Sequence, residues 1–449
     1  MSKHQNFLHG PILSSLLRFA GPVLLALCLQ AAYGAVDLLV VGQFGTAADM
    51  SAVSTGSQIL HTITVVVTSF AMGVTVLVAR RIGEGRRADA GKVIGAAICL
   101  FAVIALLVTL LQTVAAEGLS TLMRAPAEAF TKTAGYVRIC GAGSLFIVAY
   151  NLLGSVFRGM GDSKTPLMAV AIACAANVVG DLLLVGALGL GAAGAAIATV
   201  VAQGISVVLC LLVIRRRGMP FPFEKTFIRW ESGILREVVN LGTPIALQEL
   251  LVGISFLVIL TIVNGLGLTP SAGVGVAQKL CAFIMLVPSA FSQSLSAFAG
   301  QNMGARKPHR AQKAMALGMG ASFLCGIVMA IVVFLFGVEL SGIFTGDLEV
   351  ARASSDYLKA YAVDTSLVAF LFCFIGFFNG CGKTKFVMIQ GIVGAFCVRI
   401  PVSYLMSRVE PVSLFRVGLA TPASTIVQII LCVLYFIRLR KSFSAIDQE

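Results

Sequence analysis

The sequence predicts an all-α integral membrane protein with twelve transmembrane helices, and three observations support that prediction. The 449 residues are 58% hydrophobic and only 12% charged, whereas soluble globular domains carry about 25% charged residues. The apolar runs are about as long as the roughly 20 residues that a helix needs to cross a bilayer. The net charge is +13, and the basic residues lie at the ends of the apolar runs. This distribution excludes a basic domain that binds nucleic acid. The expected environment is therefore the lipid bilayer.

Apolar runs that alternate with charged or Gly/Pro-rich breaks define the candidate spans. They cover residues 12–41, 51–80, 92–116, 131–157, 165–186, 191–214, 238–264, 272–302, 311–337, 352–379, 385–407 and 413–437. The run from Met50 to Ala79 contains no Asp, Glu, Lys or Arg and exceeds one bilayer thickness. Its helix must therefore tilt or project from the membrane.

Basic residues fall mainly on one side of these spans, the side that also holds both chain ends. The basic loops on that side cover residues 80–92, 158–164, 215–236, 306–313, 383–385 and 438–441. The positive-inside rule therefore predicts that both termini are cytoplasmic. The first ten residues are polar and the first apolar run is too long for a signal-peptide core, so we expect the N-terminus to be retained.

The two halves of the chain repeat each other. Short matches recur in the same order: Gly21-Pro22 with Gly242-Thr243-Pro244, Gln58 with Gln278, Gly83 and Ala90 with Gly304 and Ala311, and Phe157-Arg158-Gly159 with Phe378-Asn379-Gly380. Each copy has six spans, an even number, so both copies enter from the cytoplasm as parallel repeats. Such repeats form two six-helix lobes related by a pseudo-two-fold axis along the membrane normal, with the substrate between them.

The repeat predicts an N-terminal lobe (1–217), a cytoplasmic linker (218–237) and a C-terminal lobe (238–449). The linker is basic and contains the single tryptophan, Trp230. It is either an ordinary basic loop or in part an amphipathic helix at the lipid headgroups. Channels more often assemble such symmetry from separate subunits, so the repeat within one chain favours a transporter. We expect the chain to act as a monomer.

Two carboxylates lie inside the predicted spans of the first half. Asp37 follows an uncharged run from Phe19 to Val36, and Asp181 lies four residues after Asn177, on the same helical face. Helix rise places both acids at a similar depth, and Thr199 of the sixth span falls within that depth. A charge inside the bilayer costs about 2.5–3.5 kcal/mol on insertion scales. Asp37, Asn177, Asp181 and Thr199 are therefore the predicted cation-coupling residues.

These four side chains offer hard oxygen ligands without a thiolate or imidazole, a set that suits a proton or Na⁺ better than a transition metal. Desolvation and a neighbouring like charge both favour the protonated form of a carboxyl, so the pair can exchange a proton. Sodium would instead be coordinated by the same oxygens while both acids stay charged. The coupling ion, H⁺ or Na⁺, stays open. So does the alternative that both acids are neutral and join helices through hydrogen bonds.

Further polar residues inside the spans are candidates for a substrate cavity. They are Gln30, His61, Gln203, Gln248, Glu249, Gln278, Lys279, Asp364 and Arg399. Asp364 and Arg399 either pair with each other or each face the cavity. His61 is expected to be a packed histidine rather than a proton relay.

The remaining reactive residues do not indicate an enzyme. The eleven cysteines are odd in number, lack a C-x-x-C pair and lie mostly in apolar runs, as small buried hydrophobic residues do. The four histidines have no metal-ligand spacing. No Ser/His/Asp or His-rich cluster stands out. We predict no catalysis, no cofactor apart from the coupling ion and no metal beyond Na⁺.

In these features the sequence resembles the multidrug and toxic compound extrusion (MATE) family. The resemblance covers nearly the whole chain and rests on the two six-span halves, Pro22 and Asp37 in the first span, the Gly83/Ala90 and Gly304/Ala311 loops, and Arg158-Gly159-Met160-Gly161-Asp162 before Pro166. The chain looks most similar to the prokaryotic branch related to DNA-damage-inducible transporters. That branch has its cation site in the N-terminal lobe; the matching positions are Asp37, Asn177, Asp181 and Thr199, with Tyr136 and Asn151 nearby.

The resemblance implies export of organic, often cationic and amphipathic compounds in exchange for inward proton or sodium flow, across the cytoplasmic (inner) membrane of a bacterium or archaeon. We expect cation binding to bend or repack the first span near Pro22 or Gly34. A flippase for lipid-linked precursors is the alternative. It is disfavoured because only Lys279 and Arg399 offer a cation to a pyrophosphate. A pore is disfavoured because the polar residues concentrate in one lobe.

Overall fold

The computed structural model describes residues 7–221 and 223–446, the last three without their side chains, and the regular structure in these ranges is helical. Eleven helices are long and apolar enough to cross a membrane, and one bent helix pair brings the total to twelve spans. The predicted all-α fold with twelve spans is confirmed. Residues 1–6 and 447–449, on which the prediction of cytoplasmic termini falls, lie outside the described residues.

The α-helices are numbered α1 to α17 in chain order. They are Ile12–Phe44 (α1), Ala47–Gly83 (α2), Arg87–Val114 (α3), Ala116–Leu122 (α4), Ala127–Ala142 (α5), Ser144–Gly159 (α6), Lys164–Asp181 (α7), Gly191–Arg217 (α8), Ser232–Asn264 (α9), Leu268–Ile284 (α10), Leu286–Gly304 (α11), Pro308–Gly342 (α12), Leu348–Gly380 (α13), Thr384–Ile392 (α14), Ile400–Met406 (α15), Leu414–Gly418 (α16) and Ala420–Ile446 (α17). The segments Leu182–Ala187 and Val393–Arg399 are π-helical.

Several spans consist of more than one helical segment. The fourth span is α5 and α6, which bend by 52° at Gly143, where a Cβ would overlap the side chain of Val200. The fifth and eleventh spans each contain one of the π-helical segments. Such segments are rare and recur at functional sites. Hydropathy does not reveal these interruptions, because they leave the apolar composition unchanged.

Contacts divide the chain into two compact units. The first contains Gly21–Ala246, and the second contains Phe7–Ala20 together with the chain from Leu247 onward. Helices α1 and α9 therefore each begin in one unit and end in the other. The change falls beside Pro22 in α1 and near Pro244 in α9, and a proline inside a helix removes one backbone hydrogen bond. The lobe boundaries at 217 and 238 stay a prediction. They assign the start of α1 to the N-terminal lobe and residues 238–246 of α9 to the C-terminal lobe, whereas contacts group each of these segments with the opposite unit.

The segment before α1 is bound tightly within the second unit. Arg310 donates from Nε to the carbonyl oxygen of Phe7 (2.8 Å) and from Nη2 to those of His9 (3.0 Å) and Gly10 (2.9 Å). Asn302 and Lys307 donate to the carbonyls of Phe7 and Leu8. The Phe7 ring is fully buried against Phe19 and Phe298. Hydrogen bonds from charged donors contribute about 1.5–3 kcal/mol each, so this segment is firmly held.

The start of α9 is held in a comparable way within the first unit. Arg81 forms ion pairs with Glu84 (3.1 Å) and with Glu237 of α9 (2.9 Å). Gly73 of α2 packs so closely on α9 that a Cβ would meet the backbone of Val238 and Gly242. The first helix of each repeat is thus anchored at its beginning by the loop region that follows the second span of the other repeat.

The predicted linker is mainly a loop. Between α8 and α9, the helical part of the described linker is the short 3₁₀ turn Lys225–Phe227. Phe223 and Phe227 contact each other edge to face, and the Phe227 carbonyl packs on Gly95 of α3. Residues 232–237 of the predicted linker are the helical start of α9. A position of any part of the segment at the lipid headgroups stays a prediction.

Candidate cation site

The structure brings together the four predicted cation-coupling residues within the first unit. Thr199 Oγ1 of α8 donates to Asp37 Oδ2 of α1 at 3.3 Å. Asp181 and Asn177 of α7 lie beside the Asp37 carboxylate and interact with it. Asp181 and Asn177 are 0% exposed and the other two 3%. The predicted juxtaposition is present, and the role of these residues as cation ligands stays a prediction.

The two carboxylates of this site have few partners. Asp37 Oδ1, both Asp181 oxygens and both polar atoms of the Asn177 amide are buried without a hydrogen bond. Within the described part of the chain, neither acid forms an ion pair with a lysine, arginine or histidine. Two ionised carboxylates in such a place are costly, because a buried charge needs a counter-charge and hydrogen bonds. The arrangement therefore suits a proton or cation shared between the acids.

Two tyrosines complete the site. Tyr33 donates its hydroxyl to the Thr199 carbonyl oxygen at 3.3 Å and lies beside Asp37. Tyr136 of α5 is fully buried and interacts with Thr199 and Asp37, as predicted for the nearby polar network. Its ring packs where a Cβ on Gly56 would lie, so Gly56 makes room for it. Sequence reasoning missed Tyr33, although its position one helical turn before Asp37 places both on one face.

An ion pair between the buried Asp49 and the exposed Lys132 fixes the helices of the site at one end. Asp49, at the start of α2, pairs with Lys132 of α5 at 2.8 Å and accepts from the backbone N–H of Ala192 in α8 at 3.1 Å. It also forms a capping box with Thr46, in the short loop after α1. Gly191 has φ +53°, and a side chain there would collide with the Asp49 carboxylate. Asp49 thus ties the loop after α1 to the helices that carry Tyr136 and Thr199.

Several other predicted residues lie apart from this cluster. Asn151 of α6 accepts a hydrogen bond from Thr68 Oγ1 of α2 (2.6 Å), which joins the two helices. It also donates to the Ile147 carbonyl oxygen within α6 (2.8 Å). Gln30 is exposed and lies beside Tyr150. His61 is also exposed, so the expectation of a packed histidine is not supported by its exposure.

The remaining cavity candidates differ in their surroundings. Gln248 is buried against Gly391, whereas Glu249 and Lys279 are exposed, with the Lys279 ammonium 6.0 Å from the Phe344 ring centre. Gln203 and Gln278 are half-buried, and each has one buried amide atom without a partner. The structure does not bring these residues into one site.

Asp364 and Arg399 belong to a second polar cluster, in the second unit. Arg399 donates from Nη1 to Ser255 Oγ at 3.2 Å, and its guanidinium lies 4.5 Å from the ring centre of Phe256. Asp364 interacts with Thr425 and with the charge of Arg399, but the two charged groups form no direct ion pair. Of the two arrangements that the sequence left open, direct pairing is not seen, because Ser255 and Phe256 hold the guanidinium instead; whether either side chain faces a substrate cavity stays a prediction. Both residues are buried.

The predicted hinge residues lie within an unbroken helix. Pro22 and Gly34 are both inside α1, which runs from Ile12 to Phe44. A Cβ at Gly34 would meet no atom within 4 Å, so the position has room for rearrangement. Bending at either residue stays a prediction about another state of the transporter.

Groups suited to a transition metal were not found among the described residues: no three His, Cys, Asp or Glu side chains cluster. The eleven cysteines, all described, are free thiols. These observations concern the described ranges and leave open what binds at the acidic pair.

Two six-span repeats, with a buried pair of acids on the first and fifth membrane spans, define a membrane transporter. The MatE family model matches residues 22–183 and again residues 244–405, so the chain belongs to this family and its internal repeat is confirmed. The matches do not single out the branch related to DNA-damage-inducible transporters, which stays a prediction.

Curated relatives and solved structures match along the full length. The chain is 28% identical to the probable multidrug resistance protein YpnP of Bacillus subtilis, covering 90% of this chain and 91% of that protein. It is 21% identical to the multidrug export protein MepA of Staphylococcus saprophyticus, covering 89% and 88%. Its fold matches that of a MOP superfamily transporter from Pyrococcus furiosus with a TM-score of 0.91 and 20% identity, over 100% of this chain and 99% of the other.

Proposed function

We propose that this MATE-family transporter is a secondary active exporter of organic, amphipathic or cationic compounds that exchanges them for protons or sodium ions. The observation that carries the proposal is the buried Asp37–Asp181 pair: three of its four carboxylate oxygens lack a hydrogen-bond partner, and among the described residues the pair has no basic partner. It acts as a monomer in the cytoplasmic membrane of a prokaryote, with both termini in the cytoplasm and no cofactor besides the coupling ion.

The acid pair provides coupling because its ion affinity depends on its surroundings. In a state open to the outside, the pair takes up a proton or Na⁺, with Asn177, Thr199 and Tyr33 as neutral neighbours. Exchange requires that the same pair release the ion when the transporter opens to the cytoplasm. Coupling then equals the difference in ion affinity between the two states, and the substrate experiences the same free-energy difference by linkage.

The substrate class rests on the relatives, which are named multidrug resistance and export proteins. The rival function, flipping of lipid-linked precursors, requires cations that can bind a pyrophosphate. Arg399 is buried and bound by Ser255 and Phe256, which leaves the exposed Lys279 as the cation of the predicted cavity set. A single flexible lysine is a weak pyrophosphate site, so the structure favours export of organic compounds.

The test is transport by the purified chain in liposomes loaded with an organic cationic dye. A proton gradient and a sodium gradient are imposed separately, and dye movement is followed by fluorescence. We expect one of the two gradients to drive dye transport in wild-type protein and in the Asp364→Asn control, and neither to drive it in Asp37→Asn. Dye transport that ignores both gradients, or that persists in Asp37→Asn, would contradict the proposal.

A further inference from the structure

The second-unit polar cluster occupies the repeat position that the cation site occupies in the first unit. The distance in sequence from Tyr136 to Phe157 equals that from Tyr357 to Phe378, so the two tyrosines are equivalent in the repeats. Both are fully buried. Tyr136 interacts with Asp37, and Tyr357 interacts with Asp364 and Arg399.

The two clusters also draw on the same spans. In the first unit the groups come from α1, α5, α7 and α8; in the second they come from α9, α13, the π-helical segment Val393–Arg399 and α17. These are the first, fourth, fifth and sixth spans of each repeat. Asp181 immediately precedes a π-helical segment, and Arg399 ends one. Both clusters therefore use an interrupted fifth span to present a charged side chain.

The clusters differ in how their acid charge is balanced. In the first unit, Asp37 and Asp181 have no basic partner among the described residues. In the second unit, the single acid Asp364 lies within the field of Arg399, and both side chains are buried. The guanidinium stays charged under all physiological conditions and is further stabilised by the face of Phe256.

We propose that Arg399 is a tethered cation, which fills in the second unit the role that the exchanged ion fills in the first, so that the chain carries one exchangeable cation site. This inference rests on the proposed function of the acid pair. Because the guanidinium is covalently attached, its positive charge stays near Asp364 and cannot be released. The second unit then contributes no ion to the transport stoichiometry.

The proposal predicts that removing the tether converts the second unit into a cation site. Arg399→Gln leaves Asp364 buried with an oxygen that already lacks a hydrogen bond. A carboxylate left in this way must take up Na⁺ or a proton, since an uncompensated buried charge is unstable. Arg399→Lys, in contrast, keeps a positive charge on the same backbone position and should bind no additional ion.

The experiment uses the purified full chain in detergent at neutral pH, in an Asp37→Asn/Asp181→Asn background that silences the first site. Bound sodium-22 per chain is counted at saturation, and infrared absorption detects any protonated carboxyl. Adding Arg399→Gln should add one cation or one protonated carboxyl per chain, and adding Asp364→Asn should abolish that gain. Arg399→Lys should give no gain.

Two results of this ion-binding experiment would overturn the proposal. In the first, the parent background already shows a bound sodium ion or a protonated carboxyl that Asp364→Asn removes. In the second, folded Arg399→Gln gains neither. A failure of the proposed function is detected by a separate comparison of wild type with the Asp37→Asn/Asp181→Asn parent. If both bind the same number of ions per chain, the acid pair of the first unit is not a cation site, and the result for Arg399 is unaffected.

Stability measurements keep the test decisive if Arg399→Gln is hard to purify. Its melting can be followed in crude detergent extracts with a fluorescent tag. Sodium or acid should raise the melting temperature of Arg399→Gln in the silenced background and leave that of the parent unchanged. In addition, Arg399→Gln/Asp364→Asn should melt above Arg399→Gln, because the two buried charges are removed together. A double variant no more stable than the single one contradicts charge compensation between these residues.

Discussion

The two units place polar clusters at equivalent positions of one fold, but among the described residues only the second-unit cluster contains its own positive charge. The acids Asp37 and Asp181 share a buried site with neutral neighbours, whereas Asp364 has Arg399 nearby. A pair of acids is satisfied only when something arrives from solution, so its state depends on ion concentration. An acid near a covalently attached guanidinium keeps a positive charge in its surroundings at all times. Under the proposed function, the comparison indicates that the first unit responds to the ion gradient, whereas the charge balance of the second unit stays constant.

The largest expected effect comes from neutralising either acid of the first unit. Asp37→Asn or Asp181→Asn removes a buried charge that holds the ion, at about 3 kcal/mol or more of ion binding, which is roughly a hundred-fold. Gradient-driven dye efflux from proteoliposomes should fall to the level of protein-free vesicles, with normal membrane insertion. If either variant transports dye at the wild-type rate, the distinction between the units is lost.

A second prediction concerns Asp364→Asn, which should affect stability and leave coupling intact. The substitution leaves the buried Arg399 guanidinium without the nearby Asp364 charge; because the two groups form no direct ion pair, the cost should lie below the roughly 3 kcal/mol of a broken buried pair. The melting temperature of the purified variant should fall by several degrees, while dye transport per folded molecule keeps its dependence on the coupling ion. Loss of ion dependence without loss of stability would show that the second unit also takes part in exchange.

The hydroxyl neighbours offer a matched pair of smaller changes. Thr199→Ala removes a hydrogen bond to the Asp37 carboxylate. Bonds to charged groups contribute about 1.5–3 kcal/mol, so the apparent affinity for the coupling ion should change by roughly ten-fold to a hundred-fold. The matched control is Thr425→Ala beside Asp364, which should leave that affinity unchanged. The measurement is dye efflux as a function of sodium concentration or pH, and equal shifts in both variants would contradict the comparison.

The smallest expected effect separates the two equivalent tyrosines. Tyr136→Phe removes one neutral hydroxyl beside Thr199 and Asp37, at about 1 kcal/mol, so coupling-ion affinity should change a few-fold. Tyr357→Phe should change it less than the error of the same efflux titration. A larger effect for Tyr357 than for Tyr136 would reverse the assignment of the two units.

Much of the fold could be predicted because apolar runs and basic loops follow directly from the energetics of a bilayer. The same reasoning found Asp37 and Asp181, since intramembrane carboxylates stand out against an uncharged background, and helix periodicity placed Asn177 on the face of Asp181. Tyr33 was missed because a tyrosine inside an apolar span does not stand out by composition. Its spacing of one helical turn from Asp37 nevertheless places it on the same helical face.

Other features depend on tertiary packing and could not be predicted from the sequence. The attachment of Arg399 to Ser255 and Phe256 depends on where the π-helical segment points its last residue, which hydropathy does not encode. The pairing of Asn151 with Thr68 depends on which two helices touch. The loop conformation of the linker depends on the phenylalanines that pack on α3, although the basic charge of the segment suggested a headgroup helix equally well.

The anchoring of the first segment by Arg310 has a consequence for biogenesis. Phe7 leaves the ribosome before Arg310 does, because the arginine that binds its carbonyl follows 303 residues later. Contacts so distant in sequence form late, because the intervening chain must first be synthesised and inserted. Until then, the carbonyl oxygen of Phe7 lacks the Arg310 guanidinium as its hydrogen-bond donor. An N-terminal half expressed alone should therefore expose Phe7 to proteolysis, and co-expression of the C-terminal half should protect it.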